Sequence, residues 1–287
     1  MFLKVSDFGE KELVKYIIDN SNVFADDAAV TPINNFNNLI STSDMLIQSK
    51  HFPEEMSFFD MGFKSVTVNV SDLAAMGCEP LGFLLSIAIY KDLFVKDFKE
   101  IIDGVLEACK FYNIPLIGGD TNEADEIIIS GTALGYVDNP TLKSTFKEGD
   151  LVAITGEVGI VAEEFKNNKF TSKTFKPIAR LKEGQYLNKI GATAVTDITD
   201  GLASELYELL DINSDLGFLI YENKLKSKDL FFGEDFELLF TISPSKKDLI
   251  RDFIIIGEVN NSGKIEMFLE DGFKKEIPRK GYNHLKG

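Results

Sequence analysis

NVSDLAAMG, residues 69–77, sets the carboxylate of Asp72 among small and apolar residues, within a stretch, Phe58–Met76, whose apolar spacing is helical. Asp72 there is either an N-cap for Leu73-Ala74-Ala75 or a metal ligand held rigidly by the backbone. Four further runs share its character: ADDAAV at 25–30, TSD at 42–44, GGDT at 118–121 and DITDG at 197–201. Each places an Asp beside small or turn-forming residues, next to a strand or helix. Hard cations such as Mg²⁺ prefer carboxylate oxygens of this kind. Five such runs predict one composite multi-metal site, and such sites mostly handle phosphates.

Composition narrows the classes. The chain has 287 residues, 44% of them hydrophobic, which suffices for a large core and two domains. A net charge of −16, weighted towards the N-terminal half, argues against nucleic acid as a partner. An acidic protein binds a polyphosphate when cations intervene, and Arg180, Arg251 and Arg279 are too few to act as the main phosphate clamps. No apolar run reaches the ~20 residues of a membrane span, and the charged N-terminus lacks a signal peptide's apolar stretch. Cys78 and Cys109 have no ligand or redox spacing, so the expected setting is a reducing cytoplasm. The nearest approach to a P-loop, Gly62-Phe63-Lys64-Ser65, has the wrong spacing, and kinase, nucleophile-elbow and zincin motifs are missing.

The pattern predicts helices over Glu10–Asn20, Phe58–Met76, Val95–Phe111, Lys176–Ile190, Gly201–Leu210 and Lys246–Asp252. Strands are predicted over Leu39–Ile47, Leu81–Tyr90, Pro115–Ile117, Glu126–Val137, Leu151–Thr155, Ala194–Asp197, Phe236–Ile242 and Ile254–Val259. The mixture in both halves indicates an α/β or α+β fold. Asp138-Asn139-Pro140 is a turn signal, which divides the chain into domains 1–138 and 139–287. GGDT reads as a turn after the Pro115–Ile117 strand, whose glycines would let backbone N–H groups approach an anion. Asp200 is a candidate cap for the helix near Gly201. His51 is placed at the end of the Asp44 strand, and Glu234 and Asp235 stand at the mouth of the strand containing Phe236.

NVSDLAAMG with Pro80, IGGDT, DITDGL and GEDFELLF, in this order, resemble the thiamine-monophosphate kinases of the superfamily named for aminoimidazole ribonucleotide synthetase. The resemblance runs from about Phe8 to Tyr282. It implies a two-domain α/β fold, with the N-terminal sheet forming a barrel across a homodimer and the C-terminal domain closing an ATP cleft. It also implies transfer of the γ-phosphoryl of ATP to thiamine monophosphate. By position, Asp27, Asp44, Asp72, Asp120 and Asp197 resemble Mg²⁺ ligands, with Thr42 and Ser43 beside them and Asp200 as an outer ligand. Gly119, Asp120, Lys143 and Thr199 match ATP-contacting positions, and His51, Glu234 and Tyr282 match substrate-contacting ones. The chain departs from the pattern at Ala25 (usually Gly), Thr199 (usually Ser) and Lys143 (often Arg).

A phosphate acceptor implies its own mechanism. The second pKa of a phosphomonoester is about 6, so its oxygen is already ionised and needs no general base. The expected chemistry is direct in-line transfer, with Asp44, Asp72, Asp120 and Asp197 as the catalytic carboxylates. The alternatives are a related ATP-dependent synthetase and a catalytically silent nucleotide-binding dimer.

Overall fold

A computed structural model of the chain describes residues 27–32 and 38–282. The helix expected over Glu10–Asn20, together with Ala25 and His284, lies outside the described residues. Strands β1 (Ala29–Pro32), β2 (Asn38–Ile47), β3 (Glu79–Ile89), β4 (Leu116–Glu123) and β5 (Ile128–Val137) form one sheet in the order β1-β2-β5-β3-β4. Its inner face alternates as a half-buried sheet should, with Ile129, Gly131, Ala133 and Gly135 of β5 turned inwards. Helix α1 (Phe58–Ala75) packs on that face, and α2 (Val95–Phe111) packs on α1. The Ser57 hydroxyl starts α1 by accepting a hydrogen bond from the Asp60 N–H at 3.1 Å.

The two helices touch backbone to backbone. A Cβ on Gly62 would lie 1.9 Å from the Ile101 carbonyl oxygen, and one on Gly104 would lie 1.9 Å from that of Phe59. A second, seven-stranded sheet follows: β6 (Leu151–Ile154), β7 (Ala194–Asp197), β8 (Gly217–Tyr221), β9 (Leu238–Ile242), β10 (Ile254–Asn260), β11 (Ile265–Phe268) and β12 (Lys274–Glu276), ordered β12-β11-β8-β10-β6-β9-β7. Helices α3 (Ile160–Asn167), α4 (Leu181–Ile190) and α5 (Leu202–Ile212) belong to this half. Leu202, Leu206 and Leu209 of α5 share a core with Phe218, Leu239 and Ile256. Leu238 and Phe240 on the other face of β9 join the core around α1. α1 therefore lies between the two sheets, in contact with β2, β5 and β7, and most of its residues are buried. No described helix is long and apolar enough to cross a membrane. Cys78 and Cys109 are both free and buried, and burial pushes their thiols up to about 12 and about 11.

Several boundaries move for tertiary reasons. The expected Lys176–Ile190 helix is helical only over Leu181–Ile190. Ahead of it, the chain around Pro177 is held out of the helix by Thr67, whose hydroxyl donates to the Pro177 carbonyl at 3.2 Å, and by Tyr112, whose hydroxyl accepts from the Ala179 N–H at 2.9 Å. The strand expected from Phe236 begins at Leu238, because Glu234 and Phe236 take left-handed φ values of 65° and 50°. The Lys246–Asp252 helix is a 3₁₀ segment over Pro244–Ile250. GGDT is no turn: all four residues lie within β4. Helix α3 and strands β1, β8, β11 and β12 escaped the sequence pattern.

Candidate active site

Four aspartates converge where α1 meets both sheets. Asp72 lies in the last turn of α1, which excludes the N-cap alternative. Its carboxylate accepts a hydrogen bond from the Thr42 hydroxyl on β2. Asp44, two residues along β2 and on the same inner face, has its N–H held at 3.1 Å by the Asn69 side-chain oxygen, which lies nearly one helical turn before Asp72. Asp197 ends β7, and Asp27 lies two residues before β1. One carboxylate oxygen each from Asp27, Asp72 and Asp197 lie within 4.8 Å of one another.

Electrostatics show what this proximity costs. Burial drives the Asp72 carboxyl well above the usual range, and the charges of Asp44, Asp197 and Asp27 push it further. Burial, then the charge of Asp27, lifts Asp197 to about 8. Burial raises Asp44 as well. Crowded carboxylates of this kind resist ionisation until a cation joins them. Among the described residues, Asp197 Oδ2 finds no hydrogen-bond partner, although it is buried. An all-oxygen donor set with an unsatisfied buried oxygen fits Mg²⁺ well.

Lys143 closes the base of this cluster. Its Nζ lies 2.6 Å from Asp27 Oδ1 and 3.3 Å from Glu208 Oε2. Burial opposes its charge, but Asp27, Glu208 and Glu205 outweigh burial and hold the ammonium well above its ordinary pKa. Thr196 donates a second hydrogen bond to Asp27 at 3.1 Å. Glu205, pushed up by burial and then by Glu208, accepts from the Asp200 N–H at 3.2 Å. The N-cap residue of α5 is Gly201, one residue after Asp200.

A second group of expected residues gathers around the 197–201 turn. The Glu234 N–H donates to the Thr199 carbonyl at 2.8 Å, and the Tyr282 N–H donates to the Asp200 carbonyl at 3.2 Å. Gly233 is required at this crossing, since a Cβ there would lie 1.7 Å from the Thr199 carbonyl oxygen. Asp235 and Glu237 anchor the same segment on its other side. Asp235 accepts from the Gly159 N–H at 2.7 Å, and Glu237 takes a bidentate pair from Arg180, with both contacts at 2.6 Å. The Glu234 carboxylate points back to α1, where Lys64 Nζ meets it at 2.8 Å. His51 ends a helical turn, Gln48–His51, rather than a strand, and its Nδ1 lies 2.9 Å from the Ile47 nitrogen.

Asp120 stands apart from the four. Asp44 pairs with Gly131, Gly131 with Leu85, and Leu85 with Gly119, so these four share the inner face. Asp120 is one residue on, in register with Ser86, and so faces the other way. Ser43 also lies on that outer face, where its hydroxyl donates to the Gly131 carbonyl at 2.8 Å. Gly119 is pressed against β3, with 1.8 Å separating its would-be Cβ from the Leu85 carbonyl oxygen. Sequence reasoning missed Asn69, Thr196, Glu205 and Lys64 as parts of the site. Lys64 carried a signal: it is a charged residue in a stretch otherwise apolar enough to be buried.

Residues 25–137 match the family model described as AIR synthase related protein, N-terminal domain. The thiamine-monophosphate kinase of Pyrococcus abyssi is 37% identical over 91% of this chain and 90% of its own length. That of Methanocaldococcus jannaschii is 36% identical over 94% of this chain and 91% of its own. A solved structure described as "AaThiL complexed with AMPPCP and TMP" superposes with a TM-score of 0.88 at 26% identity, covering 99% of both chains. With this identity, this coverage and the shared fold, the chain belongs to the thiamine-monophosphate kinase family.

Proposed function

We propose that this protein phosphorylates thiamine monophosphate with ATP, giving thiamine diphosphate and ADP. The convergence of Asp27, Asp44, Asp72 and Asp197 at the join of the two sheets is the observation that carries the reading. The relatives' names and the nucleotide-analogue complex of the similar structure support it. An acceptor oxygen forms a bond to the γ-phosphorus as the bond to the β–γ bridging oxygen breaks. The acceptor phosphate is already ionised near neutral pH, so no side chain has to remove a proton. Mg²⁺ held by these carboxylates would neutralise the repulsion between the two phosphates. The residues of this chain fix the carboxylates: Thr42 and Asn69 orient Asp72 and Asp44, and Lys143 and Thr196 hold Asp27. We assign Lys143, Thr199, Gly119 and Asp120 to ATP, and His51, Glu234 and Tyr282 to thiamine monophosphate. Ser43 and Asp200 are assigned as outer members of the metal site.

The same reading divides the chain into domains 1–138 and 139–287 and places it in the cytoplasm, the latter supported by the two buried free thiols. It also includes a homodimer formed through the outer face of the first sheet. Met45 and Tyr136 are exposed there by 57% and 42%, and Asp120 lies on that face. In this proposal Asp120 enters the phosphate site by way of the dimer seam. Release of ADP, followed with ATP, Mg²⁺ and a panel of acceptors, tests the function. Turnover that requires both thiamine monophosphate and Mg²⁺ is expected. ADP release at the same rate without an acceptor would mean a phosphohydrolase, and no release at all a silent binder. A phosphorylated side chain that turns over at the catalytic rate would overturn direct transfer.

A further inference from the structure

Lys64 is 0% exposed, on the helix that separates the two sheets. A buried ammonium is costly unless its charge and its N–H donors are met. Here they are met from two distant parts of the chain. Nζ donates to Glu234 Oε1 and Oε2 at 2.9 and 2.8 Å, across 170 residues of sequence, and to the His51 carbonyl at 2.9 Å. The Phe52 ring lies 5.9 Å from the same ammonium. Glu234 has a left-handed backbone, φ 65°, an unfavourable conformation for a residue with a side chain. Its own N–H is fixed to the Thr199 carbonyl. Its side chain remains 26% exposed, so one edge of the carboxylate stays available to a ligand.

Helix α1 sets the distance from this pair to the aspartates. Lys64 and Asp72 are eight residues apart, about 12 Å along a helix rising about 1.5 Å per residue. One end of α1 thus faces phosphate chemistry. Two turns away lies a carboxylate whose position is set by a buried cation.

We propose that Lys64 is a positioning residue for the acceptor. It clamps the Glu234 carboxylate and the His51 main chain into one rigid wall, which receives the organic, cationic part of thiamine monophosphate while its phosphate lies at the aspartates. The inference rests on the functional reading above. Lys64 touches neither the reacting phosphates nor, in this arrangement, the acceptor itself. Its effect passes through Glu234. Loss of the ammonium frees the partly exposed carboxylate to turn to solvent, and the wall loses its fixed charge.

Steady-state kinetics of the full chain with ATP, Mg²⁺ and thiamine monophosphate provide the test. Lys64→Met should raise KM for thiamine monophosphate about tenfold, leaving kcat and KM for ATP within about threefold. Glu234→Gln should raise the same KM, and Lys64→Met should add less than about twofold in that background, because both act through one contact. If Lys64→Met is insoluble, Lys64→Gln keeps a donor in the same volume and should raise the acceptor KM about fivefold alone. A purely structural lysine would instead lower activity with both substrates in proportion, or add its full effect to Glu234→Gln; either result overturns the proposal. Wild-type protein inactive on thiamine monophosphate would sink the functional reading and this inference together. Wild-type activity with an unchanged acceptor KM in the Lys64 variants would sink the inference alone.

Discussion

Asp72 and Asp197 are carboxylates that the fold makes reluctant to ionise, and the proposed phosphoryl transfer needs them ionised. Replacement by Asn separates the two demands. Asp72→Asn should lower kcat at least ~100-fold, as for loss of a principal electrostatic stabiliser. Asp44→Asn and Asp197→Asn should behave alike, because the cluster acts as a unit. Asp197→Asn should nevertheless raise the melting temperature in EDTA at pH 8, since it removes a buried like charge; a lower Tm would show the carboxylates to be structural. The pH dependence has a definite sign. Asp197 moves from an ordinary 3.8 to about 8 on folding, so the native state holds the proton more tightly than the unfolded chain. Its contribution to stability is complete below about pH 4 and is lost as pH rises through about 8. In EDTA the Tm should therefore fall between pH 5 and pH 8. Mg²⁺ binds the deprotonated form, so the rise in Tm that it produces should grow over the same interval. Scanning fluorimetry in the two buffers measures both effects.

Helix α1 carries Asn69 and Asp72 at one end and Lys64 near the other, and its rigidity comes from a close crossing with α2. Gly104→Ala would drive a methyl group into the Phe59 carbonyl and spread the helices. It should destabilise the protein by about 1–3 kcal/mol in denaturant titration; an unchanged midpoint would mean that the crossing yields freely. The 3.6-residue period revealed this helix and α2 in the sequence, the latter with both its ends. Other elements were obscured by contacts that periodicity does not contain. Pro177 and Ala179 are held by side chains of α1 and by Tyr112, and Phe236 is turned out of β9 by the left-handed backbone that brings Glu234 to the site. Asp72 was legible as a candidate ligand. Its place in the last turn of α1 was not, because SDLAA suits the start of a helix as well as its end.

The two sheets, with α1 between them, create the site. Neither half holds it alone, since Asp27, Asp44 and Asp72 come from the first and Asp197 from the second. Pairing of two chains through the outer face of the first sheet would cover Met45 and Tyr136. Light scattering should give twice the chain mass for the wild type, whereas Met45→Lys should shift it towards the monomer and reduce activity, with Asp120 removed from the seam. A fully active monomer would refute the dimer and the role given to Asp120. The acid-and-small-residue motifs and their order determined the family and the residue types expected at the site, because hard-cation preference belongs to a residue type and its immediate neighbours. Tertiary structure alone decided which aspartates meet, that Asp120 turns to the opposite face, and that Lys64 reaches Glu234 170 residues away. Those outcomes depend on strand register and helix phase, and a shift of one residue in either would exchange the buried and exposed faces without altering any local motif.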